Sequence, residues 1–266
     1  MKRILFTTAF LALFGCKEAP KEPTNQSEEV ELVTQSETTD YPEALNKVFD
    51  AHGGLVNWKN KRTLSFVIAK PEAPETHTID LHSRREKIEM SGFAMGFDGQ
   101  DFWLEDEKES YKGDPIFYHN LMFYFYAMPF VLADAGINYG ETAALEYEGK
   151  SFPGISISYN DGIGTSPKDE YFLHYDPETH QMTWLGYTVT YRTGEKSANV
   201  KWIRYNDWTK VGELVLPKSL TWHAYEGRTI KEAKNTYVFE NVSVSETSKN
   251  DVFFGMPENA KVINKP

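Results

Sequence analysis

Seven histidines and 39 acidic residues supply the groups that could move protons or ligate a metal. His77 and His82 flank Asp80, and His174 and His180 straddle Asp176-Pro177. Strand alternation places Asp80 and His82 on one face and His77 on the other. A metal site needs three or four converging ligands, and no His-Glu-x-x-His spacing exists. These histidines read as solvated or core-edge side chains, and neither metal nor cofactor is expected. There is no Gly-x-Ser-x-Gly nucleophile elbow. Glu105 and Asp106 adjoin a turn and read as solvating it. A glycosidase needs two carboxylates facing one cleft, and so acidic a chain offers such pairs by chance. An envelope hydrolase is therefore the third reading, behind ligand binding and partner docking. Asp161 to Glu170 forms a polar glycine loop. It has neither the Gly-Lys-Ser/Thr ending of a phosphate loop nor the acidic alternation of an EF-hand. It reads as a surface loop or a rim.

Apolar chemistry concentrates in residues 117–133, where seven of the first fourteen side chains are aromatic. The run lacks alternation and is apolar all round, so it must be buried on every side. Pro129 forces a kink or a break, and Asp134-Ala135-Gly136 ends the element. The expectation is one buried, kinked helix facing the concave side of a sheet. Phe123, Tyr126, Met128 and Phe130, with Trp58 and Trp103, are candidates to line an apolar cavity. Ligand sites are concave and mostly apolar, with a few orienting polar groups, and methionine adapts its shape. The competing reading makes the same residues plain core.

Cys16 is the only cysteine, so it excludes an intrachain disulfide and a cysteine zinc site. Lys2 and Arg3 precede an apolar run, Ile4 to Phe14, broken only by Thr7 and Thr8. The run is shorter than the roughly 20 residues a bilayer span needs, and it fits a secretory signal. Leu13-Phe14-Gly15-Cys16 resembles a lipobox: a small residue before a cysteine that receives acyl chains such as palmitate. Two or more chains, at about 0.8 kcal/mol per buried CH2, make a firm anchor. Residues 1–15 are the expected signal peptide. Lys17 is not an acidic retention residue, so the expected placement is the outer membrane of a Gram-negative cell.

The remaining elements must position that aromatic run. Residues 16–40 carry the lipidated cysteine and an acidic, Pro-rich tether, with seven acidic against two basic residues after Cys16. Such a segment has almost no core-forming side chain and reads as a disordered tether. Residues 41–266 form the expected single domain. Leu45, Val48, Phe49 and His52 share a helical face, Gly53-Gly54 stops that helix, and Leu55 with Trp58 begins a second turn. Strands dominate thereafter: Thr63 to Ala69, a long Thr76 to Met90, and a Phe93 to Leu104 hairpin turning at Asp98-Gly99. Further runs follow from Gly154 to Val244. Many strands with turn signals at short intervals indicate a barrel or a strongly curved sheet. The formal charge of -11 becomes -13 without Lys2 and Arg3. With no basic block, the chain is a poor partner for nucleic acid. Contact with a membrane falls to the lipid anchor.

Several motifs are similar to those of a family of uncharacterised Gram-negative lipoproteins. They are His52-Gly53-Gly54 with Trp58, Asp98-Gly99 with Trp103, Phe125 to Asp134, Asp169-Glu170-Tyr171, Val189-Thr190-Tyr191, Tyr205-Asn206-Asp207-Trp208 and Leu216-Pro217. The likeness spans about residues 41 to 264. That family in turn resembles the lipoprotein carrier superfamily (LolA/LolB-like). The resemblance implies a mainly β fold with a few helices: an open half-barrel of antiparallel strands whose helices plug the concave face. In that superfamily the cavity holds acyl chains. The expected function is a membrane-anchored lipoprotein that binds a lipid or a lipoprotein acyl chain. The alternative is a filled interior and an outer surface that docks on an envelope complex.

Overall fold

The computed structural model describes residues 41–71, 73–163, 166–191 and 193–264. Cys16 and the expected signal and tether lie outside the described residues. Helix α1 (Glu43–Ala51) buries Leu45, Val48 and Phe49 at the predicted spacing. It ends where Gly53 and Gly54 take φ of +100° and +90°. A Cβ on Gly53 would lie 2.2 Å from the Glu213 carbonyl, so both dihedral and space demand glycine there. Helix α2 (Leu55–Lys59) follows.

Strands β1 (Thr63–Ile68), β2 (Glu75–Asp80), β3 (Glu86–Met90), β4 (Phe93–Phe97) and β5 (Phe102–Glu105) form a meander. The expected single strand from Thr76 to Met90 is two. Asp80 Oδ1 accepts the backbone N–H groups of His82 and Ser83 at 3.1 and 2.8 Å, and Arg84 turns the chain with φ of 61°. The β4–β5 turn is longer than the two residues expected: Asp98 Oδ1 accepts from Gln100 and Asp101 N–H, both at 2.8 Å.

Helices α3 (Pro115–Tyr118) and α4 (Leu121–Tyr126) and a 3-10 turn at Phe130–Ala133 come next. A second meander then runs through β6 (Ile137–Tyr147), β7 (Lys150–Tyr159), β8 (Tyr171–Tyr175), β9 (Met182–Tyr187), β10 (Lys201–Val211), β11 (Leu214–Glu226) and β12 (Thr229–Ser245). Strand β11 passes through Pro217, which has no N–H to give a ladder. The partner strand β10 absorbs it with register shifts around Asp207 and Trp208. Helix α5 (Asp251–Phe254) and β13 (Lys261–Ile263) close the described chain.

The thirteen strands among the described residues belong to one antiparallel sheet, ordered β13-β5-β4-β3-β2-β1-β12-β11-β10-β9-β8-β7-β6. Its end strands, β13 and β6, do not pair with each other, so the half-barrel is open. The order explains where the aromatic segment goes. The first meander grows outward from β1, and the second starts at the far edge and returns to β1. The β5–β6 connection must therefore cross the sheet, and that connection carries α3, α4 and the 3-10 turn. Its apolar side chains join α1, α2 and the concave strand faces in one core. The opposite face has its own smaller cluster of Phe152, Phe172, Trp184, Val200 and Trp202. Among the described residues no helix is long and apolar enough to cross a membrane.

Candidate ligand cleft

The crossing segment is three short pieces rather than one kinked helix. Asp114 caps α3, accepting from Ile116 and Phe117 N–H at 2.9 and 3.1 Å. Pro115 stands at the first helical position, where no N–H is needed. Asn120 then adopts a left-handed φ of 59° and separates α3 from α4. Pro129, lacking an N–H, separates α4 from the 3-10 turn.

Two buried carboxylates of the sheet hold the break at Asn120. Glu86 Oε2 accepts from the Asn120 backbone N–H at 2.8 Å and faces His119 Nδ1 at 3.0 Å. Glu75 Oε2 accepts from the Tyr118 hydroxyl at 2.5 Å, and Lys70 pairs with the other Glu75 oxygen. His77 sits between the two carboxylates. Burial pushes both carboxyls up, but hydrogen bonds win: His119 and His77 hold Glu86 at about 2. His77, Lys70 and Tyr118 hold Glu75 at about 2. The network anchors the roof of a cleft to the sheet.

The cleft has a volume of about 950 Å3. Its roof is α3 and α4, and its floor comes from the far half of the sheet. Directly paired residues point to the same side. The register therefore aligns Ile157, Tyr171, Tyr187 and Lys201 in one row across β7 to β10. Tyr171 and Tyr187 stack with centroids 6.0 Å apart. Phe125 of the roof reaches Tyr187 at 5.0 Å and Trp222 at 5.6 Å. The Trp222 indole N–H donates to the Tyr187 hydroxyl at 3.0 Å. Tyr124 and Tyr159 share a hydroxyl–hydroxyl hydrogen bond. Burial pushes Tyr187 up to about 12 and Tyr124 and Tyr171 well above their ordinary value. The phenols therefore stay neutral, so the cleft offers ring faces and hydroxyl groups rather than phenolates.

Charge in the lining is sparse. Asp169 is the one carboxylate, and Lys201 and Lys234 are the ammonium groups. Asp169 Oδ1 accepts from the Thr190 N–H at 2.6 Å, and burial raises its carboxyl above the ordinary range. No group of three or more His, Cys, Asp or Glu among the described residues could hold a metal ion.

None of the six aromatic and methionine candidates lines this cleft. Trp58 stacks on Phe130 at 4.8 Å, and Phe130 stacks on Phe49 at 6.3 Å. The Arg84 guanidinium covers Phe123 at 4.9 Å while pairing with Asp134. Tyr126 packs on Phe66 and Phe239, both at 4.5 Å, and Met128 is fully buried. These five share the concave core. Trp103 lies on the opposite face, its indole N–H donating to the Phe254 carbonyl at 3.2 Å. The physical reason is close packing: the 3-10 turn drives its side chains down onto α1, α2 and the sheet. Only the outer face of α3 and α4 is left standing over a hollow. The lining residues Tyr171, Tyr187 and Trp222 were signalled by alternation, being two apart from buried Leu173, Leu185 and Leu220 on their strands.

His52, read as part of a helix face, proves to be a bridge. Its Nε2 accepts from Met182 N–H at 3.0 Å and its Nδ1 faces the Val215 carbonyl at 3.1 Å. The turn pair His174 and His180 goes separate ways. His174 is buried against the Phe152 carbonyl, and His180 stacks on Tyr175.

No family model matches the chain, and no curated protein matches it. Among solved structures it is similar to a LolA superfamily protein from Nitrosomonas europaea. The identity is 8%, the TM-score 0.47, and the match covers 80% of this chain and 96% of that one. It is also similar to a DUF1329 family protein from Desulfovibrio piger, at 9% identity and a TM-score of 0.47, covering 80% and 98%. Neither likeness names a ligand for this chain.

Proposed function

We propose that this chain is a lipoprotein of the Gram-negative envelope, anchored through Cys16. Its half-barrel holds an apolar or amphipathic ligand, a lipid or a lipoprotein acyl chain, in the cleft beneath α3 and α4. Residues 1–15 are its signal, 16–40 its tether, and 41–266 its binding domain. One observation carries the reading: the aromatic-lined space of about 950 Å3 between the crossing segment and the sheet. Ligand clefts run to about 300–1,000 Å3 and combine apolar walls with a few orienting polar groups. Tyr171, Tyr187, Trp222 and Phe125 supply the walls, and Asp169 and Lys201 supply the polar groups.

The test is native mass spectrometry on the chain from residue 16 with Cys16→Ser, purified without detergent, before and after organic extraction. A lipid-sized mass released by extraction is expected. A mass that stays bare after incubation with envelope lipids would turn the reading toward docking on an envelope complex.

A further inference from the structure

The cleft lining carries both signs of charge, and that bears on which amphiphile fits. Lys201 ends the row Ile157, Tyr171, Tyr187, Lys201 on the concave face. Asp169 lies two residues before Tyr171, where β8 begins. Both line the same cleft. Burial raises the Asp169 carboxyl, and the Thr190 hydrogen bonds and the field of the Lys201 ammonium only partly offset it. Yet among the described residues no salt bridge closes either group.

Asp169 is only 8% exposed. Thr190 is its hydrogen-bond partner, through the backbone N–H at 2.6 Å and through its side chain. A buried carboxylate held by neutral hydrogen bonds, with no cation in contact, is costly, so a cation delivered by a ligand would be favoured there. Lys201 and Lys234 alone would select an anion, and Asp169 alone a cation. A carboxylate and an ammonium spaced beyond ion-pair distance in one cleft match a head that carries both signs. The neutral aromatic wall between and beside them suits the chains of such a molecule.

Resting on the binding reading above, we propose that the cleft selects an amphiphile with a zwitterionic head. A phospholipid bearing a primary ammonium and a phosphate would place the ammonium at Asp169 and the phosphate at Lys201.

The experiment uses the chain from residue 16 with Cys16→Ser. It is incubated with vesicles of phosphatidylethanolamine, phosphatidylglycerol or diacylglycerol in the uncharged carrier digalactosyldiacylglycerol, all with identical acyl chains. Protein is separated from vesicles, and bound lipid is quantified by mass spectrometry. Phosphatidylethanolamine is expected to exceed phosphatidylglycerol by roughly tenfold, the worth of one charge-assisted hydrogen bond. Asp169→Asn keeps an oxygen for Thr190 and should erase that preference by weakening only the ammonium-bearing lipid. Lys201→Gln, at the edge of the row, should weaken both phospholipids by a similar factor and leave diacylglycerol unchanged. Equal uptake of all three lipids by the unsubstituted chain would overturn the head-group assignment while leaving the cleft a lipid site. Uptake of none would overturn the binding reading itself.

Discussion

His77 Nδ1 lies 3.2 Å from Glu86 Oε1, and neither side chain is more than 1% exposed. The other ring nitrogen lies 3.5 Å from Glu75 Oε2. An imidazole between two carboxylates can donate to both only as the cation. Burial opposes that charge, but the hydrogen bonds to Glu75 and Glu86 prevail and raise His77 above its ordinary value. Its stabilising contribution is present below about pH 6.5 and is lost as pH rises through its folded-state value. The two carboxylates, held at about 2, contribute above about pH 4.5 and fade as pH falls towards 2. Glu86→Gln breaks the network from inside and should cost about 3–5 kcal/mol in urea unfolding at pH 6. Amide exchange in residues 115–126 should accelerate more than exchange in β9 to β11, because the roof loses its anchor. Uniform acceleration would show that the carboxylate serves the whole sheet and not the roof.

His52 and His174 predict the opposite slope. Burial lowers each to about 4, and the His52 partners fix its neutral tautomer, with N–H at Nδ1 and the lone pair at Nε2. A histidine buried neutral contributes stability above about pH 6.5, which is lost as pH falls toward 4. Each can contribute up to about 3 kcal/mol. Unfolding free energy measured from pH 7 to pH 4 should fall accordingly, and His52→Gln should flatten that slope while lowering stability at pH 7. An unchanged slope in both His52→Gln and His174→Gln would assign the acid sensitivity elsewhere.

Tyr126 offers a stabilising substitution. Its ring is packed between Phe66 and Phe239, but its hydroxyl is buried with no hydrogen-bond partner. An unmet buried hydroxyl costs about 1–3 kcal/mol. Tyr126→Phe removes that cost without changing the ring. The melting temperature should rise by about 2–4 °C for each kcal/mol recovered. A fall would mean that the hydroxyl is satisfied in solution.

Gly96 and Trp103 should be coupled. A Cβ on Gly96 would lie 2.5 Å from the Trp103 ring and 2.5 Å from the Glu86 carbonyl. Trp103→Ala should cost about 3–5 kcal/mol. The pair Gly96→Ala with Trp103→Ala should cost clearly less than the two single changes added, because half of the clash is gone. Lipid uptake by the folded Trp103→Ala chain should match that of the parent, since this tryptophan faces away from the cleft.

The strand content and the first helix were legible because both rest on local periodicity. Leu45, Val48, Phe49 and His52 are buried as their spacing requires. The Ile155, Ile157, Tyr159 alternation places those side chains on one face. What local pattern could not carry was the side on which a tryptophan lies when both faces are apolar. Phe102 and Leu104 flank Trp103 on β5, and only the cover supplied by Phe254, 151 residues later, decides that Trp103 is core of the other face. The same limit hid the cleft. The 117–133 run is aromatic throughout, so composition alone gives Phe130, which is sealed, the same weight as Phe125, which borders the hollow. Edge strand β6 has neither face well buried, and its sequence correspondingly shows no clean alternation.

The sheet's central seam joins β1 to β12, with Thr63 opposite Ser245 and Leu64 opposite Val244. Neither meander can complete its inner edge until nearly the whole chain has been delivered. Contacts so distant in sequence slow folding, because a long loop must close before it is rewarded. A chain wired this way can pair neighbouring strands early, but it cannot join its two halves into one sheet until the last long strand arrives.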